Sequence, residues 1–280
     1  MRSNKVENFS RYEFKYLLNS QTSQAIESEA RNFMTYDGYA SNQASNSYHV
    51  RSQYFDNDLS THFYEKVDGM RIRHKYRIRT YGVKRDLNNP LFLEKKGRKL
   101  QRTYKQRFQI DYQHLEKFCD FNRVEELLKI YPSVDLIQDF VFDYLRKSIN
   151  PKIIVDYTRT PYVSEFDHYF RLTFDRNLNT SLVEDSNDIY SDQRSWQMML
   201  AGYTILEVKF FRRFPPWFHR IIQGHNLTRL SISKFSTGME SLGQTCWCIC
   251  TGGIAQTYWG TLETTRSLSS HYLRNILIFP

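Results

Sequence analysis

Polar and apolar residues alternate with a period of two through most of the chain, which is the pattern of extended strands with two unlike faces. The clearest run is RIRHKYRIRT, where positions 71, 73, 75, 77 and 79 are Arg, Arg, Lys, Arg and Arg. The positions between them are Ile72, His74, Tyr76, Ile78 and Thr80. Residues 11–18 alternate in the same way, with Arg11, Glu13 and Lys15 on one face and Tyr12, Phe14 and Tyr16 on the other. Further strands are predicted over 48–56, 91–97, 102–110, 153–163, 169–175 and 204–211. Helical spacing of Ala25, Ile26, Ala30 and Phe33 predicts a helix over 22–33. Two more are predicted over 113–131 and 134–148, and PPWFHRIIQ reads as a helix opening on proline. NDLSTHFYEKV reads as a short helix, residues 82–90 as a polar loop, and LSISKF as a short segment leading to GME.

The strands share one unusual property: charge gathers on one face, and aromatic or aliphatic residues on the other. Glu94 and Lys96 share a face, as do Lys105 and Arg107, and Glu207 and Lys209; Arg171 lies opposite Phe170, Leu172 and Phe174. One reading is an ordinary half-solvated sheet with its charges in water. However, five cations alternating on one strand repel each other, and a solvated face normally mixes signs. The other reading is a closed barrel with charged faces inward and apolar faces packed outward against helices. That makes the fold class α+β.

Composition narrows the class. Mean hydropathy is −0.62, and no apolar run approaches a membrane span. Forty of the 280 residues are Tyr or Phe, which is unlike a disordered chain. No secretory signal is visible behind MRSNKVENFS, so a cytoplasmic location is expected. Cys119 stands alone, and Cys246, Cys248 and Cys250 lack zinc-ligand spacing, so a reducing compartment is expected.

The net charge of +9 is local: residues 71–107 hold fourteen Lys or Arg against Asp86 and Glu94. This points to a polyanionic partner. RNA binding would want aromatics interleaved on the basic face, and here they lie mostly opposite, so no nucleic acid is expected. A phosphate chain suits the lining: arginine forks pair with its oxygens, lysine serves as a movable charge, and a carboxylate can hold a bridging divalent ion. No G-x-x-x-x-G-K-[ST] loop occurs, which excludes a P-loop kinase. Tyr12, Tyr54, Phe55, Tyr76 and Tyr81 are read as serving the core and the outer packing.

RYEFKY, YHVRSQYFDN, GMRIRHKYRIRTYG, FLEKKGR, YKQR, YTRTPY, RLTFD, ILEVK and SKF follow one another over roughly residues 9–240. Their order resembles that of VTC domains, the polyphosphate polymerase domains of the triphosphate tunnel, or CYTH-like, superfamily. The resemblance implies an eight-stranded antiparallel tunnel. It implies transfer of the ATP γ-phosphoryl group to polyphosphate with Mn²⁺ or Mg²⁺. It also implies phosphate-facing roles for Lys15, Arg77, Arg79, Lys96, Lys105, Arg107, Arg159, Arg171 and Lys234, joined by Lys209 beside Glu207. Glu207 looks like the metal ligand, with Glu13 and Glu94 as further candidates. Arg11 stands where the superfamily's E-x-E-x-K strand has its first Glu, which argues against a plain triphosphatase that uses that pair for metal. A hydrolase of the same fold and a non-catalytic polyanion-binding module are the rival expectations. Residues 241–280 match nothing in the resemblance and read as an appendage.

Overall fold

A computed structural model describes residues 6–7, 12–41, 43, 45–85, 89–100, 102–183, 189–191 and 193–244. Arg11, the three C-terminal cysteines and all but the first four residues of the 241–280 appendage lie outside the described residues. In chain order the elements are β1 (Val6–Glu7), β2 (Tyr12–Asn19), α1 (Ser20–Ala30), β3 (Thr35–Tyr36), α2 (Gly38–Ser41) and β4 (Tyr48–Asp56). There follow α3 (Thr61–Val67), β5 (Ile72–Tyr81), β6 (Leu91–Lys99), β7 (Arg102–Ile110), a 3-10 helix (Tyr112–Phe118), α4 (Glu126–Ile130) and α5 (Asp135–Lys147). The chain continues through β8 (Asn150–Val163), β9 (Arg171–Leu182), β10 (Gln197–Met198), β11 (Tyr203–Phe210), α6 (Pro216–Gly224) and α7 (Lys234–Ser241). Among the described residues no helix is long and apolar enough to cross a membrane.

Eight long strands form one antiparallel sheet in the order β7-β6-β5-β4-β8-β9-β11-β2. The two-residue strands are accessory: β1 pairs β7, β3 pairs β8 and β10 pairs β9. The sheet curls but does not close. Its edges stand 9 Å apart, which corrects the expected closed barrel to an open one. No ladder joins β2 to β7. Closing one would press together the cations on the inner face, at electrostatic cost. Instead an ion pair reaches across from Lys96 on β6 to Glu13 on β2, at 3.1 Å.

The outer face is apolar and roofed by helices. Tyr76, Ile78, Leu93 and Phe108 pack against Phe118, Leu127, Phe140 and Tyr144 in one cluster. Leu18, Leu172, Phe174, Leu206 and Val208 pack against Ile26, Ala30, Phe218 and Ile221 in another. The half-solvated reading fails on the other face, where Arg79, Glu94, Arg159 and Glu207 are buried rather than in water.

A third cluster is inside. It joins Val50, Tyr54, Ile153, Val155, Leu178, Met199 and Ile205 to Phe235 and Met239 of α7. So α7 sits within the curl, and Gly238 allows it: a Cβ there would meet Ile153 at 2.8 Å and Thr180 at 2.9 Å. SKF and GME thus belong to one helix, capped by the Ser233 side chain, which accepts from the Ser236 N–H.

Two other predictions are revised. The helix expected over 113–131 is a 3-10 helix and the short α4, broken where Asp120 accepts from the Asn122 N–H. The strand expected over 169–175 runs on to Leu182 through an irregularity opposite Asp156–Thr158. Asn177 there takes φ +52°, and the inward parity shifts from Asp175 to Leu178.

Candidate functional site

The inner face is built from rows of charge fixed by strand register. Arg77, Glu94 and Arg107 stand directly opposite one another on β5, β6 and β7. One row further along stand Lys75, Lys96 and Lys105. On the other wall Lys15, Glu207 and Thr173 form a row across β2, β11 and β9, beside a row of Glu13, Lys209 and Arg171. Period-two strands put these residues on one face, and antiparallel pairing aligns them.

Two carboxylate hubs organise the cations. Glu94 is wholly buried and holds Arg77 at 2.6 Å, Lys105 at 2.8 Å, Arg107 at 3.0 Å and Arg79 at 3.9 Å. Burial alone would raise its proton affinity, but the four cations outweigh it and hold the carboxyl well below the usual range. The second hub is Glu207 with Asp175. Arg159 grips Asp175 with two nitrogens and reaches Glu207 at 3.0 Å. Lys234, delivered by the first turn of α7, lies 2.6 Å from Asp175 and 2.8 Å from Glu207. Lys209 and Lys15 approach Glu207 at 3.4 and 3.5 Å. Against burial, Lys234, Lys15, Arg159 and Lys209 keep Glu207 ionised well below its ordinary value. Tyr157 sits between the hubs, accepting from Arg79 at 3.3 Å and lying under Lys234.

The lysines pay unevenly for this crowding. Burial lowers Lys105 to about 7 and Lys209 to about 8, while Asp175 and Glu207 outweigh burial and raise Lys234 above its ordinary value.

The structure thus brings Lys15, Arg77, Arg79, Lys96, Lys105, Arg107, Arg159, Lys209 and Lys234 to one lining with Glu13, Glu94 and Glu207. Arg171 stands apart, paired with Asp37 and 40% exposed, at the rim. Lys95 points outward to Asp139 at 2.7 Å, which leaves Lys96 as the inward lysine of FLEKKGR. Tyr54 and Tyr81, read from sequence as core and outer packing, pack in and against the inner apolar cluster, and their hydroxyls also accept from the inward guanidinium groups of Arg77 and Arg107. The sequence reading missed Asp175 as a hub, although it continues the alternation Arg171, Thr173, Asp175. It placed Lys75 on the charged face but gave it no role.

A divalent ion held by one or two carboxylates, with phosphate oxygens completing its shell, is the expected mode for Mg²⁺ or Mn²⁺. Among the described residues no group of three His, Cys, Asp or Glu is preassembled for a metal. Glu207 and Glu13 are near enough for Glu207 to raise the proton affinity of Glu13, and Glu13 is 28% exposed. Glu207 is paired with Lys15, Lys209, Lys234 and Arg159, and Glu13 with Lys15 and Lys96, so these two would fit such an ion where a phosphate chain competes for those cations. Glu94 is enclosed by its four cations and has no open side for a hydrated ion.

No curated protein matches the chain. A structure from Bacillus halodurans named as a putative adenylate cyclase is similar at 12% identity and TM-score 0.43, over 80% of this chain and 96% of that one. A conserved hypothetical protein from Pyrococcus furiosus is similar at 10% identity and TM-score 0.37, over 78% of this chain and 92% of that one. Residues 10–243 match the VTC domain. That span takes in both carboxylate hubs and every strand that lines the curl from β2 to β11, and the chain belongs to the VTC domain family.

Proposed function

We propose that this protein transfers the terminal phosphoryl group of ATP to a polyphosphate chain within the open barrel. The observation that carries the reading is the pair of hubs: Glu94 orients Arg77, Arg79, Lys105 and Arg107, and Asp175 with Glu207 orients Arg159 and Lys234. Cations so fixed are preorganised for a chain of phosphates, and phosphoryl transfer depends mainly on positioning and charge stabilisation.

In the proposed step an anionic oxygen at the chain terminus attacks the γ-phosphorus, the γ-phosphorus to β-oxygen bond breaks, and ADP leaves with the electron pair. The attacking oxygen is already deprotonated, so no general base is required. Water as the attacker would have to lose a proton, and the lining carboxylates Glu13, Glu94 and Glu207 are held ionised at low pH, which makes them weak bases. The carboxylates thus favour chain extension over hydrolysis; Lys105, lowered to about 7, is a stronger base, and the products of turnover tell whether water uses it. Arg77 and Arg79 bind equatorial oxygens as forks, while Lys234 and Lys15 follow the charge as it moves to the leaving group. A divalent ion on Glu207 and Glu13 would supply further neutralisation of phosphate charge.

Incubation with ATP and Mn²⁺ followed by gel separation tests the reading. A ladder of lengthening chains is expected. Free phosphate without a ladder would assign a hydrolase, and no turnover with tight triphosphate binding would assign a binding module.

A further inference from the structure

Lys75 is the exception among the inward cations. Arg77, Lys96, Arg159 and Lys234 each lie against a carboxylate, but Lys75 makes no ion pair among the described residues. Its Nζ donates to Ser233 Oγ at 3.0 Å and lies 5.2 Å from the Phe235 ring centre and 5.8 Å from that of Tyr54. It stands in register with Lys96, which stands in register with Lys105. Like charges directly opposed on neighbouring strands destabilise a sheet. A row of three lysines with one carboxylate-free member is a place built for an anion that is not part of the chain.

The surroundings of Lys75 say the same. Lys15 faces it from β2, Lys66 from α3, Lys96 from β6 and Arg77 from its own strand, while Ser233 and Phe235 close it from the start of α7. Burial, then these cations, push its proton affinity well down in the empty barrel.

We propose that Lys75 is a phosphate contact of the barrel that gives up Ser233 for a phosphate oxygen and takes up a proton from solvent as the polyanion enters. An N–H bond forms on Nζ and no other covalent bond changes. Phosphate binding is therefore coupled to proton uptake. The inference rests on the reading that the barrel takes phosphate chains, and adds to it a residue and a linkage.

Titration calorimetry with tripolyphosphate at a series of pH values from neutral to alkaline, in two buffers of different ionisation enthalpy at each, counts the protons. The wild type should take up more than Lys75→Arg by up to about one proton, since an arginine is charged already. Lys75→Met should bind tripolyphosphate about tenfold or more weakly, as expected for a lost charge-assisted contact, yet melt higher when empty. Lys105 and Lys209 contribute equally to wild type and Lys75→Arg, so the difference isolates Lys75. Wild-type binding with equal proton uptake in Lys75→Arg, or unchanged affinity in Lys75→Met, overturns the inference and leaves the phosphate-chain reading standing. A wild type that does not bind tripolyphosphate overturns both.

Discussion

Arg159 holds both oxygens of Asp175, at 2.6 and 2.7 Å, with the carboxylate wholly out of water. Lys234 comes to the same carboxylate from α7. Asp175 therefore joins β8, β9 and α7 through charge. Breaking a buried pair strands the remaining cations, so Asp175→Asn should cost about 3 kcal/mol or more in denaturant unfolding. A loss below about 1 kcal/mol, the scale of an exposed pair, would show that the hub is incidental.

Glu207→Gln separates catalysis from binding. The change preserves shape and removes a charge that faces Lys15, Lys209, Lys234 and Arg159. Metal-dependent turnover should collapse, while tripolyphosphate affinity holds or rises because one repulsive charge is gone. A folded variant with near-normal metal-dependent turnover would move the metal assignment to Glu13.

Gly238 tests whether α7 must sit inside the curl. An added methyl would press on Ile153, Thr180 and Met199. Gly238→Ala should cost roughly 1–3 kcal/mol by overpacking, and should weaken tripolyphosphate binding by shifting Lys234. Unchanged stability and affinity would show that the helix has slack.

Acid–base behaviour follows from the depressed lysines, Lys105 and Lys209 together with Lys66 and Lys75. Below pH 7 both states hold the Lys105 proton, and the burial cost is fully present. Between about 7 and the ordinary 10.5 the unfolded amine binds a proton that the folded one does not, so stability rises with pH across that window. Lys209, lowered to about 8, adds to the upper part. The melting temperature of the empty protein should climb from pH 7 towards 10, and saturating tripolyphosphate should flatten the climb. A flat profile without ligand contradicts the crowding.

The charged rows were legible because alternation is local. Arg77 and Arg79 share a face in any extended strand, and Ile78 must then take the other. Seam closure is not local, since it depends on whether the edges β2 and β7 meet, and nothing in either strand's own residues reports that. Helix α7 escaped notice because eight residues carry little periodicity and its cue is a single capping serine, Ser233. Asp175 was legible in RLTFD by parity, but parity carried past Asn177 would have sent Leu178 and Thr180 to the wrong face. The backbone at Asn177, with φ +52°, resets the count.

The sheet order also sets a timetable for synthesis. Strand β2 is translated near the beginning of the chain, yet its long ladder partner is β11, with Lys15 opposite Glu207. Strands β5 to β9 can each pair with a neighbour already made, while β2 must wait for nearly the whole domain to leave the ribosome. Until then its Tyr16 and Leu18 have no strand beside them, which exposes an unpaired edge during elongation. The same pairing begins the second hub, since it sets Lys15 opposite Glu207, and Lys234 of the later α7 completes it. A nascent chain stalled before residue 203 should therefore hold a formed Glu94 hub and no Glu207 hub. Cysteine-labelling of stalled chains at Leu18 and Leu93 would read this directly, with Leu93 protected early and Leu18 only after β11 emerges.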